Sequence, residues 1–137
     1  MTDEETANSV SSDELLARFI LYKRYLRQDW TVKPDAFIPH PWPDLSVTRH
    51  LQLHDAELWM IGRTVARQIA KALHGRADFS AAVARQHKLL VVAAPVLDNP
   101  NHANITNWPP DKPAQKAIAQ EIAASVGKAR KAPSDMS

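Results

Sequence analysis

The chain has 137 residues and a formal net charge of +2, with 45% apolar and 23% charged residues. These values are typical of one globular domain and exclude a largely disordered protein. The absence of cysteine excludes disulfides and thiolate metal sites. No apolar run approaches the roughly 20 residues of a transmembrane helix, so we expect a cytoplasmic protein without a membrane partner.

The two ends of the chain differ in charge. Residues 1–14 carry acidic side chains and no Lys or Arg, whereas residues 128–137 are basic and small. Neither end has an apolar pattern. We therefore predict a disordered acidic leader over residues 1–11, one α+β domain over 12–127 and a disordered basic tail over 128–137.

The first half of the domain combines a helical pattern with a proline-rich segment. Ser11 and Glu14 form a capping-box pattern, which predicts a helix that reaches at least Ile20. Prolines in residues 30–44 exclude a helix there and indicate an extended segment. The alternation over residues 45–50 predicts a strand whose apolar side chains point inward.

The clearest element is a helix from Asp55 to Leu73, with apolar residues at spacings of three and four. The pair His74-Gly75 is a typical stop signal, with glycine at the left-handed position that ends many helices. We expect Gly75 to lie just beyond the last turn.

The second half contains short elements around a long polar loop. Residues 78–87 predict a short helix, with a strand over 79–83 as the alternative, and residues 89–94 predict a buried strand. Residues 95–112 are rich in Asn and Pro and predict a long loop, followed by a helix over 113–126. The expected fold is an α+β domain with a small sheet packed by three to four helices.

The sequence offers little support for a metal or a cofactor. His50 and His54 have the i, i+4 spacing of some zinc sites, but they span a predicted strand-to-helix turn and no Glu lies between them. Glycine occurs only at Gly62, Gly75 and Gly127, so the chain has no glycine-rich phosphate loop. We expect neither a metal site nor a bound cofactor.

A set of polar residues becomes a candidate site if residues 45–50 and the loop after residue 94 are neighbours. Arg49 could then neutralise a phosphate, and His50 and His102 could act as acid and base. The alternative is that His102 and the loop asparagines bind the backbone of their own loop.

One stretch carries a resemblance. Asn99-Pro-Asn-His-Ala-Asn-Ile105 is followed by Trp108-Pro109 and a helical pattern. It resembles a small uncharacterised bacterial family in which N-P-x-H-A-x-I precedes a W-P pair and a helix, and residues 32–37 and 45–47 are similar to that family as well. The resemblance covers about residues 15–126. The resemblance implies a domain of bacterial origin. Because no activity is known for that family, it assigns no role to His102.

We predict a small bacterial accessory module that binds a protein partner through the loops 30–44 and 95–112. Tryptophans in loop segments are favoured binding residues because each buries a large area, and asparagines supply hydrogen bonds. The predicted binding residues are Trp30, Trp42, Asn99, Asn101, His102, Asn104 and Trp108.

Two other functions stay open. A small enzyme directed at nucleotides or nucleic acid would use His102, His50 and Arg49 as its catalytic set. Simple nucleic-acid binding would use Arg63, Arg67 and Lys71, which are spaced by four along the predicted helix, together with the basic cluster Lys23–Arg27.

Overall fold

A computed structural model of the chain describes residues 10–39 and 43–134. Trp42, one of the predicted binding residues, lies outside the described part. In chain order the elements are β1 (Leu15–Ile20), β2 (Leu45–Arg49), α1 (Asp55–Gln68), β3 (Gly75–Ser80), α2 (Ala81–Arg85), β4 (Leu90–Ala93), β5 (His102–Thr106), α3 (Lys112–Val126) and β6 (Arg130–Lys131). Two short 3-10 helices, Lys23–Tyr25 and Pro34–Phe37, lie between β1 and β2.

The strands form one open sheet in the order β4-β5-β2-β1-β3-β6, and each neighbouring pair is antiparallel. The predicted α+β fold with a small sheet is therefore confirmed, with three α-helices in the described residues. None of the described helices has the length and apolar character needed to span a membrane.

One face of the sheet carries the hydrophobic core, and we call it the core face. Side chains alternate along each strand, so every second residue points to this face. It is covered by α2, α3 and the Pro34–Phe37 turn, where Phe37 meets Phe79 edge to face with ring centroids 5.7 Å apart. The buried strand residues of this core are Leu16, Ile20, Leu45, Val47, Ala77, Phe79, Val91, Ala103 and Ile105.

The opposite face is only partly covered, and we call it the open face. Helix α1 lies over β1 and β3, where Gly62 faces the ring of Phe19 so closely that a Cβ there would be 2.7 Å from Cε1. Leu58 and Ala66 are buried on the same helix. Over β2 and β5 the face stays accessible, and Ser46 is exposed there. This uncovered half of the sheet holds the candidate site.

The prediction of a helix over residues 11–20 was wrong. Glu14 closes a turn with Ser11 through a backbone hydrogen bond of 3.1 Å, and β1 follows. β1 is central in the sheet and is covered on both faces, so Leu16 and Ala17 are both fully buried although they point in opposite directions. An alternating pattern is absent for that reason, and the apolar spacing imitates a helix.

Helix α1 was predicted in the right place but ends earlier than expected. The left-handed residue after its last turn is Ala70, with φ of 55°, and the amide of Lys71 bonds back to the carbonyl of Ala66. Gly75 instead begins β3 and lies against β6, where a Cβ would be 2.4 Å from the carbonyl oxygen of Arg130. Glycine is required there by the close approach of two backbones, and not by a helix stop.

Six further segments can be compared with the predictions. The strands expected over 45–50 and 89–94 and the helix over 113–126 are confirmed, although β4 is an edge strand on which Leu90 is 49% exposed. The helix over 78–87 was half wrong, because β3 continues to Ser80 before α2 begins. The prediction of a continuous loop over residues 95–112 was wrong in the middle of that segment, where β5 lies. Within 128–137, where no regular structure was expected, β6 pairs with β3.

Candidate functional site

A pocket of about 430 Å³ lies on the open face, between α1 and the segment 94–101 that joins β4 to β5. Its floor is formed by small or short side chains of β1 and β2, and its walls are largely apolar. The size is within the roughly 300–1,000 Å³ that is usual for small-molecule sites. The side chains that the following paragraphs use are Ala17, Phe19, Ser46, Thr48, Val65, Gln68, Val96, Leu97, Asp98, Asn99 and His102.

Three adjacent strands contribute paired residues to the floor of the pocket. Ala17 of β1 is paired with Thr48 of β2, and Thr48 is paired with His102 of β5. Each of these residues points to the open face by the alternation of its strand. The sheet therefore makes residues 45–50 and His102 neighbours, which is the condition under which the sequence predicts a candidate site.

Asn99 fixes the segment 94–101 to the sheet. It is only 4% exposed, and its Nδ2 donates to Thr48 Oγ1 at 2.8 Å. Its Oδ1 accepts from the backbone amide of Asn101 at 3.1 Å. Asn101 in turn donates from Nδ2 to the carbonyl of Arg49 at 2.9 Å. The asparagines thus serve both their own loop and the neighbouring strand.

His102 has a defined tautomer. Its Nδ1 lies 2.8 Å from the carbonyl oxygen of Ala94, and a carbonyl oxygen only accepts hydrogen bonds. Nδ1 must therefore carry a proton, and in the neutral ring Nε2 is an acceptor. No hydrogen bond joins Nε2 to any residue that the structure describes, so this acceptor remains for a ligand.

Asp98 and Gln68 join the loop to the end of α1. Gln68 Nε2 donates to Asp98 Oδ2 at 2.8 Å, on the exposed side of the pocket. The next residues back along the loop are apolar and uncovered, with Val96 51% and Leu97 98% exposed. The rim of the pocket therefore combines one carboxylate with two accessible aliphatic side chains.

The cation nearest the pocket is directed away from it. Arg18 lies between Ala17 and Phe19, so its side chain belongs to the core face. Its Nε donates to the carbonyl of Ala36 and its Nη1 to the carbonyl of Ser46, each at 3.0 Å. Arg18 is thus a lining residue of the pocket whose guanidinium is bound to two carbonyl oxygens.

A second polar cluster lies beside the pocket, under the start of α1. Arg76 is fully buried, with Nε 3.1 Å from Asp78 Oδ1 and Nη2 2.8 Å from Asp55 Oδ1. Its guanidinium lies over the ring of Trp59, with Cζ 4.7 Å from the centroid. His50 Nε2 lies 3.0 Å from the same oxygen of Asp78. This cluster ties β2, β3 and α1 together.

Neighbouring charges and hydrogen bonds lower the pKa of both carboxyl groups in this cluster. Burial alone raises the pKa of Asp78, but the hydrogen bond from His50 and the charge of Arg76 outweigh it, and the pKa lies below its ordinary value. The pKa of Asp55 is also lowered, chiefly by the hydrogen bond from Arg76. Both groups are therefore held as carboxylates.

The predicted catalytic set is divided by these contacts. His102 lines the pocket, whereas His50 is bound to Asp78 in the second cluster. Arg49 makes a two-point ion pair with Glu14, at 2.7 Å from Nε to Oε2 and 2.9 Å from Nη2 to Oε1. The structure brings the three residues onto neighbouring strands but does not direct their side chains to one ligand.

The predicted binding residues are also spread out. Asn99 and His102 line the pocket, and Asn104 lies on β5 opposite Ser46, next to it. Trp30 lines a separate cavity of about 220 Å³ near β3. Trp108 donates from Nε1 to the carbonyl of Ile105 at 2.9 Å and packs against the core.

The row of basic residues on α1 is shorter than predicted. Arg63 is half-buried and Arg67 is exposed on the helix. Lys71 lies beyond the end of α1, and its Nζ is 5.1 Å from the ring centroid of Tyr22. The three side chains therefore do not form one regular ridge.

Several residues of the site were not singled out from the sequence. Thr48, Gln68 and Asp98 take part only through contacts between distant segments. Arg76 and Asp78 stand at i and i+2 on β3, so a strand prediction for this segment would have placed them on one face. Among residues 10–39 and 43–134, no group of three His, Cys, Asp or Glu side chains could hold a metal ion.

Comparison of the chain with models of protein families, with curated proteins and with solved structures gives no match. The resemblance of the stretch 99–109 to a bacterial family therefore stays a prediction.

Proposed function

We propose that the protein is a binding module that holds a small organic ligand in the pocket between α1 and residues 94–101. The observation that carries this proposal is His102, whose tautomer is fixed by Ala94 and whose Nε2 acceptor lines a cavity of ligand size. A scaffold that fixes one polar group within apolar walls is typical of small-molecule sites.

Strand pairing and a buried side-chain hydrogen bond support the pocket. The floor consists of paired strands, and Asn99 anchors the loop through a buried side-chain hydrogen bond. Preorganised walls reduce the entropy that binding costs, so even a small pocket can hold a ligand with useful affinity.

The test is a ligand screen against the full chain and a pair of variants at Ser46, an exposed residue of the pocket floor. Ser46→Trp fills the pocket, and Ser46→Ala serves as the matched control that leaves it open. A ligand that binds the native state raises Tm, so we expect hits that shift Tm of the wild type and of Ser46→Ala but not of Ser46→Trp. Hits that stabilise all three proteins equally would place the ligand elsewhere.

A second candidate function is the accessory module with a protein partner, and the exposed residue Leu97 favours it. Leu97 is 98% exposed and Val96 beside it is 51% exposed, so two adjacent apolar side chains of this loop are accessible to a partner. The partner would contact the rim 94–101, and not the whole of the segments 30–44 and 95–112. We expect Leu97→Asp to abolish co-purification of a partner, with Leu97→Gln as a milder control and an unchanged unfolding curve.

A further inference from the structure

Among the accessible polar side chains of the pocket, His102 and Asp98 offer acceptors, whereas Ser46 and Gln68 are neutral groups that can also donate. His102 presents Nε2, because Nδ1 is already protonated and bound to Ala94. Thr48 and Asn99 are bound to each other, and the Asn99 carbonyl accepts from Asn101. Asn99 donates one of its two amide hydrogens to Thr48, and because Asn99 and Thr48 are only 4% and 2% exposed, neither presents an accessible donor to a ligand.

Asp98 adds a negative charge at the rim of the same pocket. Its Oδ2 accepts from Gln68, a neutral side chain that leaves the charge uncompensated. Oδ1 makes no hydrogen bond to any residue in the described part of the chain. A carboxylate with a free oxygen at the mouth of an apolar pocket favours cations and strong donors.

No opposing cation enters the pocket among its described lining residues. Arg18 is the one Lys or Arg of that lining, and it donates to the carbonyls of Ala36 and Ser46. An anionic ligand would therefore meet an acceptor at His102, a like charge at Asp98 and no free donor of opposite charge.

Resting on the proposed ligand-binding function, we infer that the ligand is an organic cation or a neutral donor, such as an amine on an aromatic or aliphatic body. Its apolar body lies against Phe19 and Val65, and its donor group is directed to Asp98 and His102. Carboxylates and phosphates are disfavoured by the same groups, which sets this site apart from a nucleotide site.

The experiment compares three small probes that share one body: 2-phenylethylamine, 2-phenylethanol and 3-phenylpropionate. Each is titrated into the full-length protein, and binding is followed by the backbone amide signals of Ser46, Thr48 and His102 in NMR spectra. We expect the amine to bind at least about 10-fold more tightly than the carboxylate. The alcohol should lie between them.

Asp98→Asn is the matched variant, because an asparagine oxygen still accepts from Gln68 while the charge is removed. We expect it to weaken the amine several-fold more than the alcohol, because both donate to residue 98 but only the amine loses an opposite charge there. His102→Phe provides an independent readout, since it removes the Nε2 acceptor and should weaken the amine and the alcohol together.

The outcomes separate the ligand class from the binding function. Equal or tighter binding of the carboxylate at the pocket amides would overturn the ligand class and leave the binding module standing. A preference for the amine that persists in Asp98→Asn would also overturn the assignment. If none of the probes shifts the pocket amides, both the ligand class and the proposed function fail.

Discussion

Asp78 and Arg76 stand two residues apart on the open face of β3 and bind each other, with Nε 3.1 Å from Oδ1. Arg76 has no exposed side-chain surface, whereas the side chain of Asp78 is 17% exposed. Asp55 binds the same guanidinium from the first turn of α1, but its side chain is 56% exposed. One buried cation is thus shared by a shielded carboxylate and a solvated one.

We expect the shielded carboxylate to contribute more to stability. Asp78→Ala leaves a buried guanidinium without its better partner and should lower the free energy of unfolding by about 3 kcal/mol. Asp55→Ala is the control, because it removes the solvated partner and should cost about 1 kcal/mol or less. Urea unfolding of both variants makes the comparison. Equal losses would mean that burial does not set the strength of these pairs.

The lowered pKa of Asp78 predicts acid sensitivity. When the folded-state pKa lies below the unfolded value of about 3.9, the unfolded chain binds more protons, and stability is lost as the pH falls below that value. The free energy of unfolding of the wild type should therefore decrease between about pH 5 and about pH 2.

Asp78→Asn isolates this contribution, because Asp29 and Asp55 also have lowered pKa values and remain in the variant. We expect Asp78→Asn to be less stable than the wild type near neutral pH and to lose less stability on acidification. Urea midpoints measured along the pH series give both slopes. Parallel curves would show that Asp78 titrates alike in the folded and unfolded chains.

Asn99 is expected to hold the segment 94–101 in place through its contact with Thr48. Asn99→Ala removes both side-chain bonds and leaves the amide of Asn101 without its acceptor, so we predict a loss of about 1–3 kcal/mol. Hydrogen exchange at Asn101 should become faster in this variant, while exchange in α3 changes only with the global stability.

Thr48→Val and the double variant complete a double-mutant cycle for the same contact. A direct hydrogen bond predicts a coupling energy of about 1 kcal/mol between the two positions. Additive losses would instead assign the effect of Asn99→Ala to the Asn101 amide alone.

The sequence pattern predicted the secondary-structure elements in which buried and exposed residues alternate. On β2 the buried Leu45 and Val47 flank the exposed Ser46, and this alternation was readable although Thr48 is buried as well. β1 lacks that contrast because it is buried on both faces, and β5 was hidden by the flanking Asn and Pro residues although Ala103 and Ile105 alternate with polar residues. Prediction from the local sequence pattern therefore failed for strands whose burial depends on packing against distant parts of the chain.

The candidate site was predictable only in part, for a related reason. Asn99 and His102 were recognised from their residue types within a polar segment. Their partners, Thr48 and Ala94, depend on strand pairing and on the path of the loop. Arg49 was predicted to bind a phosphate, and its ion pair with Glu14 could not be foreseen because the two residues are 35 positions apart.

The end of α1 provides the last prediction. Ala70 has φ of 55°, a left-handed conformation in which its Cβ approaches the backbone, and the bonds Ala70 to Arg67 and Lys71 to Ala66 keep it there. Glycine adopts this conformation without that steric cost, although it loses more entropy on folding. The steric term of roughly 1–2 kcal/mol exceeds the entropic term of roughly 0.5–1 kcal/mol, so Ala70→Gly should stabilise the protein by up to about 1 kcal/mol.

Ala124→Gly, at an exposed position inside α3, is the matched control and should destabilise by about 1 kcal/mol. Opposite shifts of the urea midpoint for the same substitution would confirm that backbone conformation decides the sign, whereas destabilisation by both would show that Ala70 carries no such strain.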